Sequence, residues 1–404
     1  MRIKRVEDLT PGDRLGQPIY GNSGTLLLAP GVSLKPSYIS DLRTRGVQAI
    51  YVEDDDVADV APPRAVGDKV RQQVTASMRE AFTGVAEALT DADFTAAIQQ
   101  PADEASSDRA LEPLADAVRK PLAGIVGDVG DLLSDTAGEE VINGLGSLRS
   151  HDSYTFDHSL DVAAVGLVLA RRARWPETRL RQFAIGLLLH DIGKLFVDPG
   201  LLNKPGQLAC GEVRRMRAHP TLGYRLIRKT LPGIGPLPAL VAYQHHERQD
   251  GQGYPRKLRG TNGLGQKLKS QQIHDFGSLA AVADVYDALI TDRPYRRGLP
   301  GDRVHAMIRR GAGTQLNREA VELFEQTVAP FAVCTEVFLH GGRFSGHTAV
   351  VTAVRATRLD RPDVRVLRNG SGERVEPFDV RLTDEPEVRV TAEEPRPAHG
   401  RVAA

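Results

Sequence analysis

The chain has 404 residues, 41% of them apolar and 26% charged, with 52 basic residues against 52 acidic ones. That length accommodates roughly two to four domains, and the charge balance gives no overall drive toward DNA or an anionic membrane. Two distant cysteines, Cys210 and Cys334, argue against a disulfide framework or a cysteine-ligated zinc site.

The opening segment MRIKRVEDLTPGDRL has basic residues with no apolar run behind them, so no signal peptide is expected. The longest apolar stretches, such as VAAVGLVLA, fall short of the roughly 20 residues a membrane span needs. A soluble, cytoplasmic protein without a membrane span is the expectation. Residues 1–55 alternate short apolar runs (RLGQPIY, TLLLAP, AIYVED) with turn residues, and SYISDLRTRG interrupts them at helical spacing. They read as a small β-rich module, with GNSGT as a hairpin turn.

Residues 56–140 read as a linker and a helical region. KVRQQVTASMREAFTGVAEALTDADF and ALEPLADAVRKPLAGIVGDVGDLLSD carry apolar residues at helical spacing, and the polar QQPADEASSDRALEP between them reads as a loop. Residues 141–330 are helix-rich, and 331–392 alternate β-branched and polar residues between glycine turns, as a small β domain would. The tail 393–404 is expected to be disordered. The fold class is therefore mainly α, a helical bundle flanked by a small β-rich module before it and a small β domain after it.

In the helix-rich region, histidines and aspartates recur at the ends of apolar helices: His158, His190 with Asp191, His219, His245 with His246, and Asp284 inside AVADVYDAL. A single helix-end histidine is most simply a cap or a surface residue, and Asp284 alone could pair with an arginine. Taken together they exceed what one metal ion uses, and imidazole with carboxylate suits iron, manganese or zinc. The adjacent pair His190–Asp191 offers a carboxylate able to bridge two ions, and two-metal sites activate hydroxide for in-line attack at phosphorus.

HDIGK at 190–194, followed by HHERQDGQGYP at 245–255, resembles the HD-GYP family, a branch of the HD metal-dependent phosphohydrolases. LLNKPGQL, AHPTLGYRLI, ADVYDALITDRPYRRGL and GAGTQLNREAVELF extend the resemblance over roughly 145–330. The flanking modules resemble more weakly the small domains that often accompany the family.

The resemblance implies a helical-bundle catalytic domain that hydrolyses cyclic di-GMP to pGpG, and in many members on to GMP. It implies two divalent metals, iron first and manganese as a substitute, held by His158, His190, Asp191, His219, His245, His246 and Asp284, with Asp191 bridging. Lys194 matches a lysine near the scissile phosphate, although a helix-terminal lysine has a dipole explanation as well. Gly253, Tyr254 and Pro255 match the loop that shapes the nucleotide pocket, and Asp250 is expected to fix it through an Asp-Gly turn. Arg293, Tyr295 and Arg296 match a segment that contacts phosphate or guanine, a surface arginine cluster being the other reading of Arg296 and Arg297.

Two departures stand out. Where some members carry a glutamate for a third metal this chain has Tyr154, so two metals are expected. The run at 261–277 is longer than usual, as a lid, a partner-binding loop or a neutral insertion, and His274 within it is not counted as a ligand. A non-catalytic cyclic di-GMP receptor signalling through protein contacts and a phosphodiesterase of another cyclic dinucleotide are the alternatives, and besides cyclic di-GMP a homodimer or a signalling protein is the partner to expect.

Overall fold

The computed structural model describes residues 1–21, 26–47, 49–62, 65–88, 104–143, 154–202, 204, 206–291 and 297–393, apart from a few side chains near the helix starts at 104 and 154. The expected tail from 394 onward lies outside them.

The first module pairs β1 (Arg2–Arg5) with β4 (Ala49–Val52) and β2 (Ile19–Tyr20) with β3 (Leu26–Leu28), both antiparallel, around α1 (Pro36–Thr44). Pro36 opens α1, where its missing N–H costs nothing. The C-terminal strands β5 (Glu336–His340), β6 (Thr348–Arg355), β7 (Arg358–Arg368), β8 (Arg374–Arg381) and β9 (Arg389–Thr391) form one antiparallel sheet in the order β8-β7-β6-β5-β9. The two ends of the chain meet. Tyr51, Val57 and Val60 are buried in the same apolar cluster as Val337, Leu339, Val350 and Val364. Ile3 N–H donates to the Cys334 carbonyl at 3.0 Å, and Arg365 reaches Asp59 as well as Asp379.

Between them lies the helical body. α2 (Asp68–Ala88) and α3 (Glu104–Asp135) run as a packed pair. The sequence reading of a loop through 99–113 needs correction from residue 104 onward, because α3 already includes EASSDRALEP. Alanine, glutamate, leucine and arginine there are strong helix formers, and their propensity outweighs the polar serine pair. The pair shares its core with the helices that follow: Val74, Met78, Val118 and Leu132 belong to the cluster that holds Leu160, Val165 and Leu188. Arg71 of α2 donates to Asp161 at 2.8 Å, and Arg171 donates to the Thr136 and Leu133 carbonyls at the end of α3.

α4 (Tyr154–Arg172) is buried along most of its length, with Leu160 and Val162–Val165 almost wholly enclosed. A helix of that kind belongs at the centre of a bundle, and α5 (Glu177–Leu188) packs against it. Then come the short α6 (Pro199–Leu202) and α7 (Cys210–Met216), followed by α8 (His219–Thr230), α9 (Leu237–Gln244) and α10 (Asp275–Ile290). α11 (Gly301–Gly311) and α12 (Arg318–Glu325) complete the body. Among the described residues no helix is long and apolar enough to cross a membrane.

Candidate metal centre

Five of the seven candidate ligands stand where a helix of this bundle starts or stops. α5 ends at Leu188, and His190 and Asp191 follow in the turn that leads into a 3-10 segment, Ile192–Phe196. His219 opens α8, where Pro220 favours the first turn. His245 caps the end of α9, with His246 next to it. His158 and Asp284 lie within α4 and α10, which pack together. The HD turn is pressed onto the start of α8: a Cβ on Gly193 would stand 2.0 Å from the His219 carbonyl oxygen. Only glycine permits that approach, and it brings His190 and His219 to one place.

Backbone contacts fix the imidazoles. Nδ1 of His190 faces the Leu187 carbonyl at 2.7 Å, Nδ1 of His219 the Met216 carbonyl at 2.8 Å, and Nδ1 of His245 the Ala242 carbonyl at 2.9 Å. A carbonyl can only accept, so each Nδ1 carries the proton and each Nε2 presents a bare lone pair. Those Nε2 atoms converge. His219 Nε2 lies 3.5 Å from His245 Nε2, and His158 Nε2 lies 3.2 Å from His190 Nε2. Asp191 sits between the two pairs. Its Oδ2 is 3.5 Å from His158 Nε2 and 3.4 Å from His190 Nε2, while Oδ1 is 3.5 Å from His219 Nε2 and 3.8 Å from His245 Nε2. Oδ1 is buried with no hydrogen-bond donor.

Lone pairs facing lone pairs and a carboxylate oxygen repel one another unless a cation lies between them. The donor set therefore fits divalent metal. Two groups of three have donor atoms within 4.8 Å of one another: His158, His190 and Asp191, and His219, His245 and His246. Asp284 Oδ1 lies 3.4 Å from His158 Nε2, at the edge of the first group.

The electrostatics agree. Burial pushes His219 down to about 3 and His246 down to about 4, and it carries His245 well below the usual imidazole range, so all three are neutral near pH 7, the form a metal ion would need. For His158, burial works against the charge, yet the carboxylates of Asp287, Asp191 and Asp284 bring it up to about 9. A proton there partly supplies the positive charge that the carboxylates call for. Burial also opposes the charge of Asp191, but the Lys194 ammonium and His190 hold its carboxyl well below the usual carboxylate range.

Lys194 donates directly to Asp191 Oδ2, at the edge of the centre, with a third of its side chain exposed. The Gly-Tyr-Pro loop folds against the second histidine group. The Tyr254 ring lies 4.7 Å from that of His246, inclined at 30°, and the Tyr254–Pro255 bond is cis. A Cβ on Gly253 would come 2.4 Å from the Arg248 nitrogen, so the loop's approach to the HHE segment needs glycine there. Asp250 accepts from Gln252 N–H at 2.9 Å and pairs with Arg248, and Gly251 takes φ +78°. Asp250 thus shapes the turn. Arg293, Tyr295 and Arg296 lie outside the described residues, as does the side chain of Tyr154. Arg297 is paired with Glu7 of the first module, at 2.7 Å.

Within 261–277, Asn262 N–H donates to Gln249 and Leu264 N–H to Glu319, and His274 Nδ1 accepts from Phe276 N–H at the start of α10. The first two bonds tie the start of the segment to the body, His274 N–H ties its end by donating to Gln244 at 2.7 Å, and the His274 side chain is a helix cap.

Two side chains carry more than the sequence reading gave them. Asp287, one turn after Asp284 on α10, accepts from His158 Nδ1 at 2.6 Å and is fully buried. The signal was present in DVYD, where carboxylates three residues apart share a helix face. Glu247 accepts from Arg256 N–H at 2.7 Å and Leu258 N–H at 2.8 Å, so it clamps the backbone just after the loop.

A family model for the HD domain matches residues 147–319. A cyclic di-GMP phosphodiesterase of Pseudomonas aeruginosa is 35% identical over 222 residues, which cover 54% of this chain and 49% of that one. A cyclic di-GMP phosphodiesterase of Thermotoga maritima is 33% identical over 185 residues, 46% of this chain and 47% of the relative. A 3'3'-cGAMP-specific phosphodiesterase of Vibrio cholerae is 33% identical over 190 residues, 46% of this chain and 38% of the relative. The matches span about half the length of these curated relatives, or less. HDIGK and HHERQDGQGYP fold into one centre inside this matched region, so residues 147–319 form an HD domain that carries the HD-GYP motifs.

Proposed function

We propose that the chain is a metal-dependent phosphodiesterase that opens cyclic dinucleotides, with cyclic di-GMP as the preferred substrate and linear pGpG as the first product. The observation that carries this reading is Asp191, whose two oxygens face two separate sets of imidazole nitrogens. That division suits two divalent ions sharing one carboxylate, held by His158, His190 and Asp284 on one side and His219, His245 and His246 on the other. When bound, such ions supply an activated water and neutralise charge that develops on the phosphoryl oxygens.

The protein's own part is positioning. The Nδ1 contacts hold the rings so that the site needs little rearrangement. Lys194, adjacent to Asp191 and partly exposed, places an ammonium where it can meet a phosphoryl oxygen or assist the leaving oxygen. Tyr254 and Pro255 form a wall beside His246 against which a nucleotide can lie. Two relatives are named for cyclic di-GMP and one for 3'3'-cGAMP, so substrate choice needs a direct comparison.

The test uses the full chain loaded anaerobically with Fe(II) or Mn(II) and incubated with cyclic di-GMP or 3'3'-cGAMP, the products being resolved chromatographically. Linear dinucleotide from cyclic di-GMP, formed faster than from 3'3'-cGAMP, is expected. Tight nucleotide binding without turnover under either metal would overturn the enzymatic reading and favour a receptor.

A further inference from the structure

Arg217 occupies the turn between α7 and α8, two residues ahead of His219. That turn already has a task, since the Met216 carbonyl accepts from His219 Nδ1. It also aims the Arg217 guanidinium over the ring of Tyr254, with Cζ 4.8 Å from the centroid. The same ring lies against His246. Arg217 is exposed, and among the described residues no carboxylate pairs with it. The Tyr254 ring thus meets both His246 and an arginine whose N–H groups have no partner among the described residues.

An arginine held this way is well prepared to bind an anion. Stacking on a ring fixes the guanidinium plane at small cost, and the edge N–H groups stay available for bidentate bonds to phosphate. Among the described residues Arg217 shares no hydrogen bond or ion pair with a candidate metal ligand and meets Tyr254 instead, so the anion it takes is a second one, apart from that at the metal ligands. A cyclic dinucleotide carries two phosphodiesters on one ring. We propose that Arg217 is a substrate-binding residue that holds the phosphodiester not being cleaved, while the other one sits at the histidine–aspartate centre. This rests on the function proposed above and adds a specificity element to it: substrates with two linked phosphodiesters gain from Arg217, and those with one do not gain to the same degree.

The experiment compares the wild-type chain with R217A and R217K, all loaded with Mn(II) and matched for metal content. Each is assayed with cyclic di-GMP and with bis(p-nitrophenyl) phosphate, which has a single phosphodiester. Equilibrium binding of cyclic di-GMP is measured separately in EDTA. For R217A we expect KM and Kd for cyclic di-GMP to rise at least about tenfold, the loss typical of a charge-assisted pair. We expect kcat to change much less, and kcat/KM for the small diester to fall by a far smaller factor. R217K should recover part of the nucleotide affinity through its retained charge. Equal losses on both substrates would overturn the proposal, since Arg217 would then act only by supporting Tyr254. Unchanged nucleotide KM and Kd would overturn it as well, while leaving the phosphodiesterase reading intact. A wild-type chain that neither binds nor cleaves cyclic di-GMP would instead remove that reading, and this proposal with it.

Discussion

Asp287 Oδ2 lies 2.6 Å from Nδ1 of His158, and the two side chains are buried together between α10 and α4. A carboxylate behind a ligating imidazole fixes its tautomer and raises its basicity. D287N keeps the shape and removes the charge. It should weaken metal affinity about 10- to 100-fold while the helical content stays unchanged. Competition with a fluorescent chelator gives the affinity, and wild-type metal binding in D287N would remove the orienting role.

Asp191 faces both imidazole pairs with different oxygens. In D191N one oxygen becomes an amide nitrogen that cannot ligate, so the bridge is lost. Metal content should fall from two ions per chain to one or none, and hydrolysis should drop below detection. Elemental analysis after gel filtration decides this. Two retained ions would mean that Asp191 does not bridge.

Gly253 packs where a methyl group would come 2.4 Å from the Arg248 nitrogen and 2.6 Å from the His246 carbonyl oxygen. G253A must push the Tyr254 loop away from the centre. A misplacement of about 1 Å can cost about 100-fold in rate, so kcat/KM for cyclic di-GMP should fall by that order with metal content preserved. A variant of normal activity would show that the loop shifts without consequence for substrate.

Arg71 of α2 pairs with Asp161, whose side chain is almost wholly buried one turn beyond His158. R71M removes the cation from that buried carboxylate, a loss worth about 3 kcal/mol or somewhat less, given the partial exposure of Arg71. D161N added to R71M should restore much of it. Urea midpoints for the two single variants and the double variant measure the coupling, and strictly additive effects would count against the pair.

His305 is buried on the Phe324 ring, and its Nε2 has no hydrogen-bond partner. Burial, aided by Arg309, lowers it to about 4, against 6.5 in the ordinary state. The unfolded chain therefore binds more protons between those values. This contribution to stability is complete above pH 6.5, declines as pH falls toward 4 and levels off below. It amounts to on the order of 3 kcal/mol. H305L should flatten the pH dependence of Tm in that window, a result that an unchanged slope would contradict.

The sequence alone brought out the helical bundle and a candidate centre within it. Helix periodicity, punctuated by histidines and aspartates, marked the bundle, and the resemblance carried by HDIGK and HHERQDGQGYP singled out candidate ligands that the fold then gathers. The helical start of α3 was missed because a serine-rich stretch reads as a loop until neighbouring helices bury its continuation. Asp287, Glu247 and Arg217 were legible as residues but not as parts of the centre. Their roles depend on partners 129, 9 and 37 positions away along the chain, and the packing of α10, the loop closure after Pro255 and the turn before His219 fix those distances. Likewise, Asp191 could be read as able to bridge, because a carboxylate has two oxygens. Which imidazoles each oxygen faces was decided only when Gly193 let the HD turn press against the start of α8, since no spacing in the sequence encodes the direction of a side chain across a bundle.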